Sequence, residues 1–149
     1  MFIDYFEIPN DIRIFYKVYG STDESNRKIN PQQQTLIFLH GGPGVVDHTL
    51  YEAYWSKFSK KNLSGLPLQV IFIDHRGSGR SYYVNDGVKD YGDKSLWTLD
   101  QWGKDVHSFF SAFEIEKPIL AGVSFGGFVA MSCATQYPSK LGGLILCDT

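Results

Sequence analysis

The sequence predicts an α/β protein in which an N-terminal antiparallel hairpin leads into a mostly parallel sheet with crossover helices. Residues 2–8 and 12–19 are rich in Phe, Ile, Tyr and Val and flank a Pro9-Asn10-Asp11 turn signal. From Thr35 onward, short apolar runs alternate with helical segments, the order that specifies parallel strands joined by crossovers. Those runs carry Ile, Val and Leu at successive positions, as strands covered on both faces require.

In chain order, the hairpin comes first and is followed by a polar stretch, 21–34, with Asn30-Pro31, a glutamine run and no periodicity. It is expected to be a surface loop and the best candidate for local disorder. Strands are expected at 35–39, 69–74, 118–122 and 141–147. A helix is expected over 50–60, with Lys57, Lys60 and Lys61 near a C-terminus that favours cations. The helix over 99–113 has a clearer signature. Thr98 and Gln101 form a capping box, and Leu99, Trp102, Val106, Phe109, Phe110 and Phe113 fall on one apolar face. A third helix opens directly after Ser124 and stops near Pro138. No internal repeat or domain boundary interrupts the 149 residues.

Composition narrows the function. With 43% hydrophobic and 15% aromatic residues the chain can bury a core. A net charge of -2 without single-sign blocks gives no footprint for nucleic acid. No run approaches the roughly 18 apolar residues of a membrane span. The start of the sequence lacks a basic, then apolar, leader, so a cytoplasmic setting is expected. Cys133 and Cys147 have no metal-ligand or redox spacing and are expected to be structural and buried. Neither a metal nor a cofactor is expected.

Three motifs carry chemistry. Gly122-Val123-Ser124-Phe125-Gly126 is a G-x-S-x-G sequence between an apolar strand and a helical run, the context of a strained nucleophile elbow. A serine there projects from the C-terminal edge of the sheet, backed by the positive end of a helix. His40-Gly41-Gly42-Pro43-Gly44 follows the strand 35–39. Such a turn supplies one oxyanion donor and the residue after the nucleophile the other, which assigns the N–H groups of Gly42 and Phe125. Pro43 has no N–H, and a cis Gly42–Pro43 bond is open to this turn. His40 is expected to pin the turn by hydrogen bonds rather than act as catalytic base. Asp74-His75-Arg76-Gly77-Ser78-Gly79-Arg80-Ser81 lacks the phosphate-loop pattern and is expected to be a scaffold turn packed beside the site. His107 is expected to face solvent on the polar side of its helix.

In this order and spacing the three motifs resemble the N-terminal half of the α/β-hydrolase superfamily, particularly its proline iminopeptidase branch. His40 to Gly44 is the sharpest marker, Asp74 to Ser81 resembles the D-x-R-G-x-G-x-S turn of that branch, and Gly122 to Gly127 its elbow. The resemblance implies a Ser–His–Asp triad that releases an N-terminal residue, often proline, from short peptides. The branch often has glutamine where His75 stands and an indole where Phe125 stands, and ester, amide and epoxide hydrolases share much of the remainder. In this fold the triad runs Ser, acid, His, yet after Ser124 the sequence holds one acidic residue, Asp148, and no histidine. The expectation is therefore an incomplete α/β-hydrolase domain, lacking lid and C-terminal strands and inactive alone. The alternative is a non-catalytic binding module. In either case the apolar strand 141–147 would expose an edge open to pairing.

Overall fold

A computed structural model describes residues 1–8, 11–60 and 67–149. The hairpin forms from β1 (Phe2–Glu7) and β2 (Arg13–Tyr19), paired antiparallel with Phe2 opposite Val18 and Glu7 opposite Arg13. Pro9 and Asn10 of the turn signal lie outside the described residues. The main-chain bonds Ile8 N–H to Ile12 O (2.8 Å) and Asp11 N–H to Ile8 O (3.1 Å) close the hairpin.

Residues 21–34 form a surface loop with one 3-10 turn at Glu24–Asn26. Its own polar groups hold it: Gln33 spans Thr22, Gly20 and Pro67, Ser21 Oγ donates to the Lys28 carbonyl at 2.6 Å, and Asn30 binds the Gln69 side chain. Ile29 anchors the loop in the core.

Four parallel strands follow, β3 (Thr35–Leu39), β4 (Gln69–Ile73), β7 (Ile119–Val123) and β8 (Gly143–Cys147), in a six-stranded sheet of order β1-β2-β4-β3-β7-β8. In register, Ile37 sits beside Ile71 and Leu120, and Phe38 beside Phe72 and Ala121. Because side chains alternate across a sheet, Ile37, Leu39, Ile71, Ile73 and Leu120 face one core layer while Leu36, Phe38, Val70, Phe72 and Ala121 face the other. The first layer is closed by α2 (Leu99–Ala112) and α3 (Phe125–Gln136), the second by α1 (Thr49–Trp55), which tightens into a 3-10 turn at Ser56–Ser59. Lys57 and Lys60 sit at that end, and Lys61 lies outside the described residues. Among the described residues β8 pairs only with β7, and Leu144, Ile145 and Leu146 are exposed.

Several local expectations need correction. Thr98 caps α2 by accepting the Gln101 N–H at 3.2 Å, but the Gln101 side chain donates to Asp105 Oδ1 at 2.9 Å, so only half of the capping box forms. The Thr98 N–H that a capping box would give to Gln101 instead donates to the Leu96 carbonyl at 2.9 Å. Leu99 is exposed, and the buried face is Trp102, Val106, Phe109 and Phe110 with Phe113 at its rim. Cys147 is only half-buried, whereas Cys133 is buried and its thiol is pushed up to about 12 by burial. A two-stranded ribbon, β5 (Tyr83–Asn85) and β6 (Val88–Asp90), turns at Asp86-Gly87, both at positive φ. This Asp-Gly hairpin signal was legible but not read.

Candidate active site

Ser124 stands between β7 and α3 with φ 51° and ψ −121°, a conformation that a non-glycine residue adopts only when its surroundings impose it. The surroundings are visible. Ser124 N–H donates to the Cys147 carbonyl of β8 at 2.9 Å, and the Ser124 carbonyl accepts the Gly127 N–H at 2.9 Å. A Cβ on Gly122 would lie 2.4 Å from the Gly126 carbonyl oxygen, and one on Gly126 would lie 2.0 Å from that of Leu39. Strand, elbow and helix therefore approach so closely that only glycine fits at both positions. The Ser124 residue is exposed and begins the helix.

The His40–Gly44 loop lies directly against the elbow. A Cβ on Gly41 would sit 3.3 Å from the Ser124 Cβ, 3.2 Å from the Val123 carbonyl oxygen and 3.1 Å from the Tyr51 hydroxyl. Gly42 adopts φ 47° and its carbonyl accepts from the Val45 and Val46 amides, which folds the loop into a tight turn. The Gly42–Pro43 bond is trans, and Pro43 and Gly44 are exposed. Phe125 places its backbone in the first turn of α3, where N–H groups lack intrahelical acceptors. Its ring turns into the core, edge-on to Trp102 at 4.9 Å and to His75 at 6.0 Å. The structure thus brings Gly41, Gly42, Ser124 and Phe125 to one edge of the sheet.

The turn after β4 braces this arrangement from beneath. Asp74 is fully buried, and its Oδ1 accepts from the His48 N–H (3.0 Å) and from the ring Nδ1–H (2.8 Å), while Oδ2 accepts the Arg80 N–H at 2.9 Å. Ser78 Oγ accepts the Gly44 N–H at 2.7 Å. Together these tie the middle and the C-terminal end of the His40–His48 segment to the Asp74–Ser81 turn. Arg76 is wholly buried between two carboxylates, Asp11 in the hairpin turn and Asp105 in α2, at 2.6 to 2.9 Å. The pair holds the guanidinium protonated well above its usual range despite the burial that opposes it. Trp102 Nε1–H donates to the Arg76 carbonyl at 2.9 Å, so α2 is fastened to the same turn.

His40 is buried with both ring nitrogens engaged. Nδ1 donates to the Gly41 carbonyl at 2.7 Å and Nε2 accepts the His75 N–H at 3.1 Å, while His75 Nε2 donates to the His40 carbonyl at 3.0 Å. Burial holds both imidazoles below their ordinary range, His75 the further, with the facing His40 adding to its shift while the Gly41 carbonyl, Asp74 and Asp47 oppose that of His40. His107 does not face open solvent as expected: it is half-buried, stacked on Tyr137 at 3.6 Å, and its pKa is lowered by burial and by Lys140. Among the described residues none of the four histidines is hydrogen-bonded to Ser124. Sequence reading missed the Asp74–His48 pair, the Asp11–Arg76–Asp105 cluster and Tyr51. The first two left no local signal, since Asp11, His48, Asp74, Arg76 and Asp105 all lie in polar turns or beside other polar residues.

Among the described residues no group of three His, Cys, Asp or Glu side chains is placed to hold a metal, and no helix is long and apolar enough to cross a membrane.

Comparison with known proteins gives a consistent picture. The family model described as alpha/beta hydrolase fold matches residues 34–149. A proline iminopeptidase of Saccharolobus solfataricus is 32% identical over 136 residues, covering 91% of this chain and 37% of that protein. One of Flavobacterium johnsoniae is 31% identical over 138 residues, covering 91% and 39%. The chain therefore spans about two fifths of the length of these curated relatives. Among solved structures, a proline iminopeptidase-related protein of Thermus thermophilus superposes with a TM-score of 0.72 at 24% identity, over 97% of this chain and 43% of the other. A Vigna radiata epoxide hydrolase variant does so with 0.69 at 14% identity, over 97% and 37%.

Proposed function

The chain belongs to the alpha/beta hydrolase fold family, and on that premise we propose that it carries the nucleophile and oxyanion-binding part of a serine hydrolase acting on short peptides. Release of an N-terminal residue, proline foremost, is the activity favoured, since the curated relatives that match most of this chain are named proline iminopeptidases. In this reading Ser124 attacks the scissile carbonyl and the Gly42 and Phe125 N–H groups receive the developing oxyanion. Collapse of that adduct breaks the C–N bond, the protonated amine of the remaining peptide departs, and water then hydrolyses the acyl–Ser124 ester to free the N-terminal residue and the serine. His40, Gly41, Pro43, Gly44, Gly122 and Gly126 shape the turns that hold these atoms. No cofactor enters the reaction. The observation that carries the reading is the strained Ser124 backbone, at φ 51°, set against the Gly41 approach.

The base and acid of the triad come, in this reading, from sequence beyond these residues. Two facts support this: the relatives are longer by more than half of their own length, and His40, His48 and His75 are committed to backbone or to Asp74. A serine without its base is weakly nucleophilic, and loss of triad members costs about 10⁴ to 10⁶ in turnover. That same commitment favours a second reading, a non-catalytic module whose partner pairs along β8. The setting is cytoplasmic in both, supported by free Cys133 and Cys147.

The experiment is an assay of the longest in-frame product that contains this sequence, against prolyl and other aminoacyl arylamides and against aryl esters. Prolyl arylamide cleavage abolished by Ser124→Ala is expected. Ester cleavage alone would move the substrate class, and an unchanged rate in Ser124→Ala would remove the serine from its role.

A further inference from the structure

We propose that His40 is the positioning residue of the oxyanion site: by holding the Gly41 carbonyl it fixes the peptide unit whose N–H, that of Gly42, faces Ser124. The inference rests on the reading of Ser124 as nucleophile and adds what aims the donor opposite it. The Gly41 carbonyl and the Gly42 N–H belong to one planar trans unit and point in opposite directions. His40, which has no solvent exposure, pulls the carbonyl inward with a 2.7 Å bond from Nδ1. The N–H is thereby turned away from the His40 ring, in a loop so close to the elbow that a Cβ at Gly41 would lie 3.3 Å from the Ser124 Cβ.

The same contacts decide which nitrogen carries the proton. The His75 main-chain amide can only donate, so His40 Nε2, 3.1 Å away, must present its lone pair and the ring proton must reside on Nδ1. The His75 ring returns a bond to the His40 carbonyl at 3.0 Å, so the turn after β4 locks the loop after β3 through a reciprocal pair. Charged and titratable groups facing His40 are Asp74, with Oδ1 4.0 Å from Nε2, together with Asp47, His48 and His75.

Two substitutions separate the two ring nitrogens. An asparagine amide reaches the position of Nδ1 and can still donate to the Gly41 carbonyl; a glutamine reaches that of Nε2 and can only serve the His75 amide. The measurements use the 149-residue chain labelled with ¹⁵N. In the wild type the His40 resonances should show the neutral Nδ1–H tautomer. The backbone order parameter of Gly42 should be near the rigid value of about 0.85, stay there in His40→Asn and fall below about 0.6 in His40→Gln. In the longest in-frame product that contains this sequence, the rate of fluorophosphonate labelling at Ser124 should fall at least about 10-fold in His40→Gln relative to His40→Asn, because losing an oxyanion donor costs about 10² to 10³. An Nε2–H tautomer in the wild type overturns the proposal even where a variant fails to fold. So does an equally rigid Gly42 in both variants. Absence of labelling in every form of that longer product counts against Ser124 as the nucleophile, while the tautomer and Gly42 measurements still decide the role of His40.

Discussion

Replacing Arg76 with methionine should cost the chain about 3 to 4 kcal/mol of stability, and the reason can be followed atom by atom. Its guanidinium makes four charge-assisted bonds, two to Asp11 at 2.6 and 2.7 Å and two to Asp105 at 2.8 and 2.9 Å. Methionine fills a similar volume but leaves two carboxylates facing apolar atoms. Breaking a buried pair in this way costs about 3 to 5 kcal/mol, because the remaining charge is uncompensated. Asp105 has a side chain only 7% exposed and retains only the Gln101 amide, whereas Asp11 at 19% recovers some water, which places the loss in the lower part of that range. With a urea slope of about 2 kcal/mol/M, the unfolding midpoint should drop by about 1.5 to 2 M at pH 7. The triple variant Arg76→Met, Asp11→Asn, Asp105→Leu removes the orphaned charges and should regain at least half of the loss. A single-variant loss below about 1 kcal/mol, or a triple variant no more stable than the single one, would refute the account.

Two further outcomes follow from close packing and from the buried histidines. Gly126→Ala puts a methyl group 2.0 Å from the Leu39 carbonyl oxygen and 2.7 Å from that of His40, both backbone atoms that cannot step aside; a loss above about 3 kcal/mol is expected, read as a melting temperature at least about 6 °C lower, and a shift within about 1 °C would contradict it. His75 is held neutral in the folded chain well below its ordinary pKa, so on acidification the unfolded chain takes up its proton first and stability falls with pH. The loss begins as pH passes the unfolded value of about 6.5 and is on the order of 1 kcal/mol by pH 5.5 relative to pH 7.5, with His40 adding in the same direction; urea titrations showing equal or greater stability at pH 5.5 would be incompatible with neutral buried imidazoles.

The sequence by itself determined the parallel strands, the three helices, the hairpin and the elbow, because each is encoded within a short window. Ile37 and Phe38 declare a strand buried on both faces without reference to any distant residue, and Gly122 to Gly126 declares a turn too tight for side chains. Tertiary structure alone decided which polar groups meet. Arg76 binds carboxylates 65 and 29 residues away, His48 finds Asp74 across 26, and Gln101 leaves its predicted cap for Asp105. Hydrophobic periodicity records only which face is buried, so it placed Leu99 inside although no element covers it. The elbow at Ser124 was legible as a motif; what holds the loop opposite it, through His40, His75 and Asp74, was not, because a hydrogen bond between loops is fixed by the distance between two strand ends and leaves no periodic trace in either.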